Sequence, residues 1–220
     1  VEIAKATQPR SAGFVNGVLR RFLRQWTKCG TGSDIQSSAG NLAEEYSHPQ
    51  WLVDRWRECF GDEQAKALMV ASNQRAPLVV RVNQTKTPRD ELLKRWQECA
   101  IAADSCAISP QGIRLPTGVS IERLPGFAEG LFQVQSEASQ LVSYLVDPAS
   151  GETILDACAA PGGKATHLAE LSGDHGKIIA IDTSARGVER ITQNARRLGL
   201  ESFQAQCADA KKTLPAKLVG

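Results

Sequence analysis

The 220-residue chain predicts an α/β fold in which a parallel, doubly wound sheet follows a small α+β module and a basic amphipathic helix. Three observations carry this reading. From residue 153 onward apolar strand-like runs alternate with helical patterns at short spacing, the signature of a parallel sheet. Residues 44–146 instead mix several helical patterns with short, separated strand runs. At the start, Phe14, Val18, Phe22 and Trp26 recur at one helical face, with arginines on the other.

Taken in order, "GFVNGVLRRFLRQW" is a helix whose apolar stripe, with Val15, Leu19 and Leu23 beside it, needs a partner surface. Residues 27–41, "TKCGTGSDIQSSAGN", are rich in Gly and Ser and read as a linker. "HPQWLVDRWRECFG" places Pro49 at a first helical position and Gly61 at the stop, and "DEQAKALMVASNQ" is a second helix. Residues 77–83 are a strand, 87–100 a helix opened by Thr87 and Pro88, and short strands are expected near 113–115 and 131–135. After the helix "SEASQLVSYLV", the expected series is strand 153–157, turn, helix 163–172, strand 177–182, helix 184–198 and strand 202–207.

Composition excludes several classes. No apolar run approaches the roughly eighteen residues of a membrane helix, and the start lacks a signal-peptide layout, so a cytoplasmic protein is expected. The six cysteines form no CxxC pair and the three histidines have no metal-ligand spacing, which predicts free buried thiols and no metal site. The net charge is +2, but residues 1–28 hold Lys5, Arg10, Arg20, Arg21, Arg24 and Lys28 against Glu2 alone. That basic arm suits a polyanionic partner such as RNA, with Arg10, Arg20, Arg21 and Arg24 as contacts; a solvated helix face is the alternative.

The first strand-to-helix turn, in "LDACAAPGGKATHLAEL", carries the chemistry. A phosphate loop of the form GxxxxGK[ST] would need glycine at Cys158 and a hydroxyl at Ala165, and it has neither. A dinucleotide fingerprint fails too, because Pro161 offers no N–H to a pyrophosphate. A short, stiff turn suits a ligand without phosphate lying close to the backbone, such as S-adenosylmethionine, whose zwitterionic end favours a helix N-terminus and fixed polar groups. Asp182, ending the second strand, stands where an acceptor for ribose hydroxyls belongs, and Asp209 in "CADA" could reach the adenine edge. Taken singly, each acid could equally cap a helix or turn.

At these residues the chain resembles a known family. "DACAAPGGKAT" is similar to the D-x-x-A-A-P-G-G-K-T signature of the RNA cytosine-C5 methyltransferases of the Sun/Nop type. "LPGFAEGLFQVQSEASQL" resembles the segment before that signature, "VVRVNQTKT" the strand opening the small module, and "EYSHPQWLVDRW" the lead-in to it. "SAGFVNGVLRRFLR" looks like the last helix of the NusB-like domain of the bacterial 16S rRNA branch, the RsmB type.

The resemblance implies a partial Rossmann-like methyltransferase sheet of three parallel strands. It implies four segments: 1–28 as the end of a NusB-like RNA-binding domain, 29–43 as linker, 44–146 as the α+β module and 147–220 as the first half of the cofactor domain. Cys158, Ala159, Ala160, Pro161, Gly162, Gly163 and Lys164 would line S-adenosylmethionine, Asp182 would bind its ribose and Asp209 its base. Ala165 departs from the usual Thr, a change expected to weaken hydrogen bonding in the first helical turn. Arg186 stands one position before the family's usual arginine.

In the implied reaction a cysteine thiolate adds to carbon 6 of a cytosine presented out of its stack, so that carbon 5 can accept the methyl group. The family's cysteines lie in Pro-Cys and Thr-Cys motifs after strands four and five. None of the six here does, and Cys158 reads as a wall residue. The expectation is thus a fragment of a 16S rRNA methyltransferase, cut at both ends and monomeric when full length. A truncated RNA-binding homologue and a P-loop-like nucleotide binder are the alternatives.

Overall fold

Residues 11–28 and 41–212 are described by the computed structural model, and their contacts divide the chain into two units, Val1–Arg75 and Ala76–Gly220. Arg10, Cys29, most of the expected linker and residues 213–220 lie outside the described residues.

The first unit holds helices α1 (Ala12–Lys28), α2 (Leu42–Glu45) and α3 (Gln50–Ser72). On α1 the stripe residues Phe14, Val18, Leu19, Phe22 and Leu23 are all exposed, as are Arg20, Arg21 and Arg24 on the other faces. Asn41 caps α2 by accepting from the Ala43 amide at 3.1 Å, so helix begins inside the expected linker segment 29–43. Pro49 is the N-cap of α3 rather than its first helical residue. Gly61, at φ 78 and ψ 168, breaks α3 where the sequence calls for a stop. Val53, Ala65 and Met69 bury there with Ala43.

The second unit opens with a four-stranded antiparallel sheet of β1 (Leu78–Val82), β2 (Asp104–Ser105), β3 (Gly112–Leu115) and β4 (Phe132–Val134), in the order β2-β3-β1-β4. Helix α4 (Arg89–Glu98) packs on it through Leu92 and Trp96, which meet Val80, Val82, Ile113 and Phe132 in one core. The Trp96 and Phe132 rings pack edge to face at 5.2 Å. A single 3-10 turn, Ile121–Arg123, precedes β4.

Helix α5 (Glu137–Val146), capped by Ser136, leads into a parallel sheet of β5 (Thr153–Asp156), β6 (Lys177–Asp182) and β7 (Phe203–Cys207), in the order β5-β6-β7. Helices α6 (Gly163–Leu171) and α7 (Ala185–Leu198) are the crossovers. The strand β6 is central and buried on both faces through Ile178, Ile179, Ala180 and Ile181, which is why it reads as an unbroken apolar run. In α7, Gly187, Ile191, Ala195 and Leu198 face the core at helical spacing. At the edge, β5 pairs only with β6 among the described residues, and Leu155 is left exposed beside Val142 and Val146 of α5.

Two arginines tie the antiparallel sheet to the crossover helices. Arg197 of α7 donates to the carbonyls of Phe127 and Phe132 at 3.0 and 2.9 Å, and its guanidinium lies 4.2 Å from the Phe127 ring centroid. Arg81 of β1 forms a buried pair with Glu170 of α6 at 2.7 Å.

The expectation of buried thiols is corrected. Cys59, Cys99, Cys158 and Cys207 are free and exposed, and only Cys106 of the described cysteines is buried. Their positions explain this: Cys99 ends α4, while Cys158 and Cys207 lie at the open ends of parallel strands.

Candidate cofactor site

The parallel sheet brings three carboxylates to one edge. Asp156 is the last residue of β5, Asp182 the last of β6, and Asp209 follows β7 by two residues. Parallel register guarantees this, because Asp156 stands beside Ala180 and Asp182 beside Cys207, with all strands running the same way. Ligands of open α/β sheets bind at this edge.

Between β5 and α6 the chain makes the turn Cys158–Gly162, fastened from several sides. The Cys158 amide donates to Asp156 Oδ1 at 3.2 Å, and the Ala159 amide to the Ile181 carbonyl at 3.0 Å. The Ala160 amide donates to Asp182 Oδ2 at 3.1 Å, and the Gly162 amide to the Ala159 carbonyl at 2.6 Å. Asn194 of α7 donates its side-chain N–H to the Pro161 carbonyl at 2.9 Å. The Ala160–Pro161 peptide is cis. Gly162 then caps α6 at φ 99, a conformation that only glycine adopts readily, and a Cβ there would lie 3.4 Å from Ile191 Cα.

Asp182 is the hub. Its Oδ1 accepts the Ser184 amide at 2.9 Å while Oδ2 holds the turn. These backbone donors, Ser184 and then Ala160, pull its carboxyl below the ordinary aspartate value, so it is an anion with lone pairs left for further donors.

Six of the seven turn residues expected at the site line one cleft of 190 Å³: Cys158, Ala159, Ala160, Pro161, Gly163 and Lys164. Gly162 is buried beneath it. Asp182 and Asp209 are not in that cleft; they stand half-buried along the same sheet edge. Asp209 Oδ1 accepts the Lys211 amide at 3.0 Å, a turn contact of the kind that served as the alternative reading for each acid. A larger cleft of 530 Å³, lined by Gln84–Asp90 and Pro110, includes none of the turn residues.

The structure adds residues that sequence reasoning missed. Asp156, Gln135, Ser136 and Ser139 line the same cleft. Asp156 carried a usable signal, an acid closing the first parallel strand. Gln135 and Ser139 carried none, because they arrive from the other sheet and from α5. Ala165 is fully buried in the core, and Thr166 Oγ1 donates to the Gly162 carbonyl at 2.7 Å, so the first helical turn has a side-chain bond one position later than expected. Arg186 is exposed, and the next position is closed to a side chain: a Cβ on Gly187 would lie 2.9 Å from Ala160 Cβ.

Among the described residues no group of three or more His, Cys, Asp or Glu could hold a metal ion, and no helix is long and apolar enough to cross a membrane.

Residues 48–122 match a family model described as the ferredoxin-like domain of RsmF/B-like methyltransferases, and residues 143–218 match one described as 16S rRNA methyltransferase RsmB/F. The chain belongs to the RsmB/F methyltransferase family. A probable ribosomal RNA small subunit methyltransferase B of Synechocystis is 38% identical over 208 residues, 93% of this chain and 46% of that protein. The Bacillus subtilis protein of the same description is 38% identical over 213 residues, 96% and 47% respectively. The crystal structure of PH0851 superposes with a TM-score of 0.79 at 27% identity, covering 99% of this chain and 47% of the other. The chain thus spans about half the length of the curated RsmB/F relatives it matches. The antiparallel sheet described above is the family's ferredoxin-like domain, and the three parallel strands belong to its methyltransferase sheet.

Proposed function

We propose that this chain carries the S-adenosylmethionine-binding portion of an enzyme that methylates carbon 5 of a cytosine in 16S rRNA. The observation that carries the reading is the turn Cys158–Lys164 set among Asp156, Asp182 and Asp209 at one edge of a parallel sheet. The donor set fits this cofactor. The cleft beside Gly163, Lys164, Asp156, Gln135 and Ser139 has both signs of charge for an α-amino and α-carboxylate group, and its 190 Å³ is smaller than the 300 Å³ or more of a usual whole-ligand pocket, so it takes one end only. Asp182, ionised and with free lone pairs, would accept from ribose hydroxyls farther along the edge. Asp209 would meet the base. When bound, the cofactor supplies an electrophilic methyl group on a sulfonium.

Cys158 lines the cleft and is exposed, and its amide is engaged by Asp156. It serves as wall, and the thiolate that adds to carbon 6 of cytosine comes from a Pro-Cys or Thr-Cys motif that residues 1–220 do not contain. Residues 1–28 would end a NusB-like domain that meets RNA phosphates through Arg10, Arg20, Arg21 and Arg24. Residues 44–146 would be the small module and 147–220 the first part of the cofactor domain of a cytoplasmic enzyme, monomeric when full length.

The test compares residues 1–220 with the protein its gene encodes. Calorimetry should show S-adenosylhomocysteine binding and no ATP binding. Labelled methyl should enter undermodified 16S rRNA only with the complete protein, and Cys158→Ser should leave that transfer intact. Binding of ATP alone would return the turn to the phosphate-loop reading. Transfer by residues 1–220, abolished by Cys158→Ser, would make Cys158 the nucleophile.

A further inference from the structure

Arg81 belongs to the antiparallel sheet, yet its side chain ends under the cofactor turn. On β1, Val80 and Val82 face the Trp96–Phe132 core, and the two-residue period of a strand sends Arg81 to the opposite face, where it is fully buried against side chains and backbone of α6 and against Gln135. All five guanidinium N–H groups have acceptors. Nε donates to Glu170 Oε2 at 3.0 Å and Nη2 to Glu170 Oε1 at 2.7 Å. Nη2 also donates to Thr166 Oγ1 at 3.1 Å, and Nη1 to the Gly163 carbonyl at 2.7 Å and to Gln135 Oε1.

Neutralising the buried charge accounts for Glu170 alone. The other acceptors have a second property in common: they build the site. Gly163 begins α6 and Gln135 forms the facing wall of the cleft. Thr166, which accepts from Arg81, donates onward to the Gly162 carbonyl. Gln135 in turn donates to the Ser139 carbonyl at 3.1 Å, so two of the cleft residues from the β4–α5 segment, Gln135 and Ser139, are tied to this guanidinium.

We propose that Arg81 is a positioning residue for the cofactor turn, holding the Gly163 carbonyl and the Gln135 carboxamide in one fixed relation before any ligand binds. The functional part of this inference rests on reading the turn as the cofactor site; the geometric part does not. Lysine cannot replace Arg81, because a single ammonium has three donors and no planar fork to span Glu170, Thr166, Gly163 and Gln135 together.

The experiment uses the protein as its gene encodes it, with three variants. Arg81→Met with Glu170→Met removes both charges without stranding either, an exchange that is often neutral for stability. Arg81→Lys keeps a charge opposite Glu170 and carries the same expectation should the double variant not fold. Glu170→Gln keeps every bond from Arg81 to the site. Amide hydrogen exchange of residues 158–166 is measured without ligand, beside melting temperature and the affinity for S-adenosylhomocysteine.

In the double variant and in Arg81→Lys, the turn amides should exchange at least about tenfold faster and affinity should fall by a similar factor, a small opening free energy. In Glu170→Gln both should stay near wild type even where the melting temperature drops. Unchanged exchange at the turn in the Arg81 variants overturns the inference, as does an affinity that merely follows melting temperature across all three. Failure of the wild-type protein to bind S-adenosylhomocysteine would remove the cofactor reading, while the exchange data still decide what Arg81 holds.

Discussion

Asp182 Oδ2 lies 3.1 Å from the amide nitrogen of Ala160, joining the end of one parallel strand to the turn that follows its neighbour. The same carboxylate caps the start of α7 through Ser184, so one anion sets the spacing of turn, strand and helix. Removing it should loosen the turn and, on the function proposed above, delete the ribose acceptor with it. Asp182→Ala should weaken S-adenosylhomocysteine by about ten- to a hundredfold, the usual range for removal of a charged acceptor. Calorimetry decides, and an unchanged affinity would remove Asp182 from the site. The pH dependence has a definite sign. The folded pKa is depressed, so the contribution of Asp182 is complete above the unfolded value near 3.9 and is lost as pH falls through the folded one. Asp182→Asn, which cannot ionise, should remove that part of the acid sensitivity.

Gly187 gives a second test of the turn. A methyl there would meet Ala160 Cβ at 2.9 Å and Asp182 Oδ1 at 3.2 Å. Gly187→Ala should therefore push the turn outward, costing about 1–3 kcal/mol, as overpacking does, and weakening the cofactor. Urea unfolding beside calorimetry measures both; wild-type values in each would mean that the turn yields freely.

His167 predicts a pH effect unrelated to ligand. It is fully buried on α6, its Nε2 donates to Gln111 Oε1 at 2.6 Å, and Nδ1 has no partner. Burial first, and the charge of Arg81 second, push its pKa down to about 2. The unfolded chain binds this proton near pH 6.5 and the folded chain does not, so stability is complete above 6.5 and falls as pH drops. Between pH 8 and pH 5 this histidine should account for about 2 kcal/mol of destabilisation. In His167→Gln that increment should vanish from the difference between urea unfolding at the two pH values, whatever the variant's absolute stability.

The exposed arginines of α1 make an electrostatic prediction. Replacing Arg20, Arg21 and Arg24 with Gln should reduce the salt slope of RNA binding by about 0.7 for each single-strand phosphate that is no longer neutralised. Titration of a 16S rRNA fragment at several salt concentrations reads the slope directly. An unaltered slope would leave the three as a solvated helix face, one of them already sharing its Nε with the Arg20 carbonyl.

Strand and helix order were legible from the chain because each element repeats its own period. "KIIAID" is apolar throughout since β6 is covered on both faces, and Gly61 and Gly199 stand where helices break or end. The turn was legible because Pro161, Gly162 and Gly163 are local requirements of backbone shape. Asp182 and Asp209 could be placed because a parallel sheet puts every strand's carboxyl end at the same edge.

Other features had no local signal. "LVVRV" reads as a strand with no sign of what Arg81 meets, and only the packing of α6 and Gln135 against it makes it a buried, five-bonded hub. The thiols were expected inside on residue type alone, whereas Cys99, Cys158 and Cys207 sit at element ends, where exposure is set by what packs alongside. By itself, then, the sequence determined the succession of elements, the shape of the turn and the sheet edge at which acids collect, since these depend on dihedral preferences and periodicity within a few residues. Only the tertiary structure brought Gln135 and Arg81 to the turn, because they reach Gly163 across 28 and 82 positions of chain, respectively, through side chains whose partners are chosen by packing.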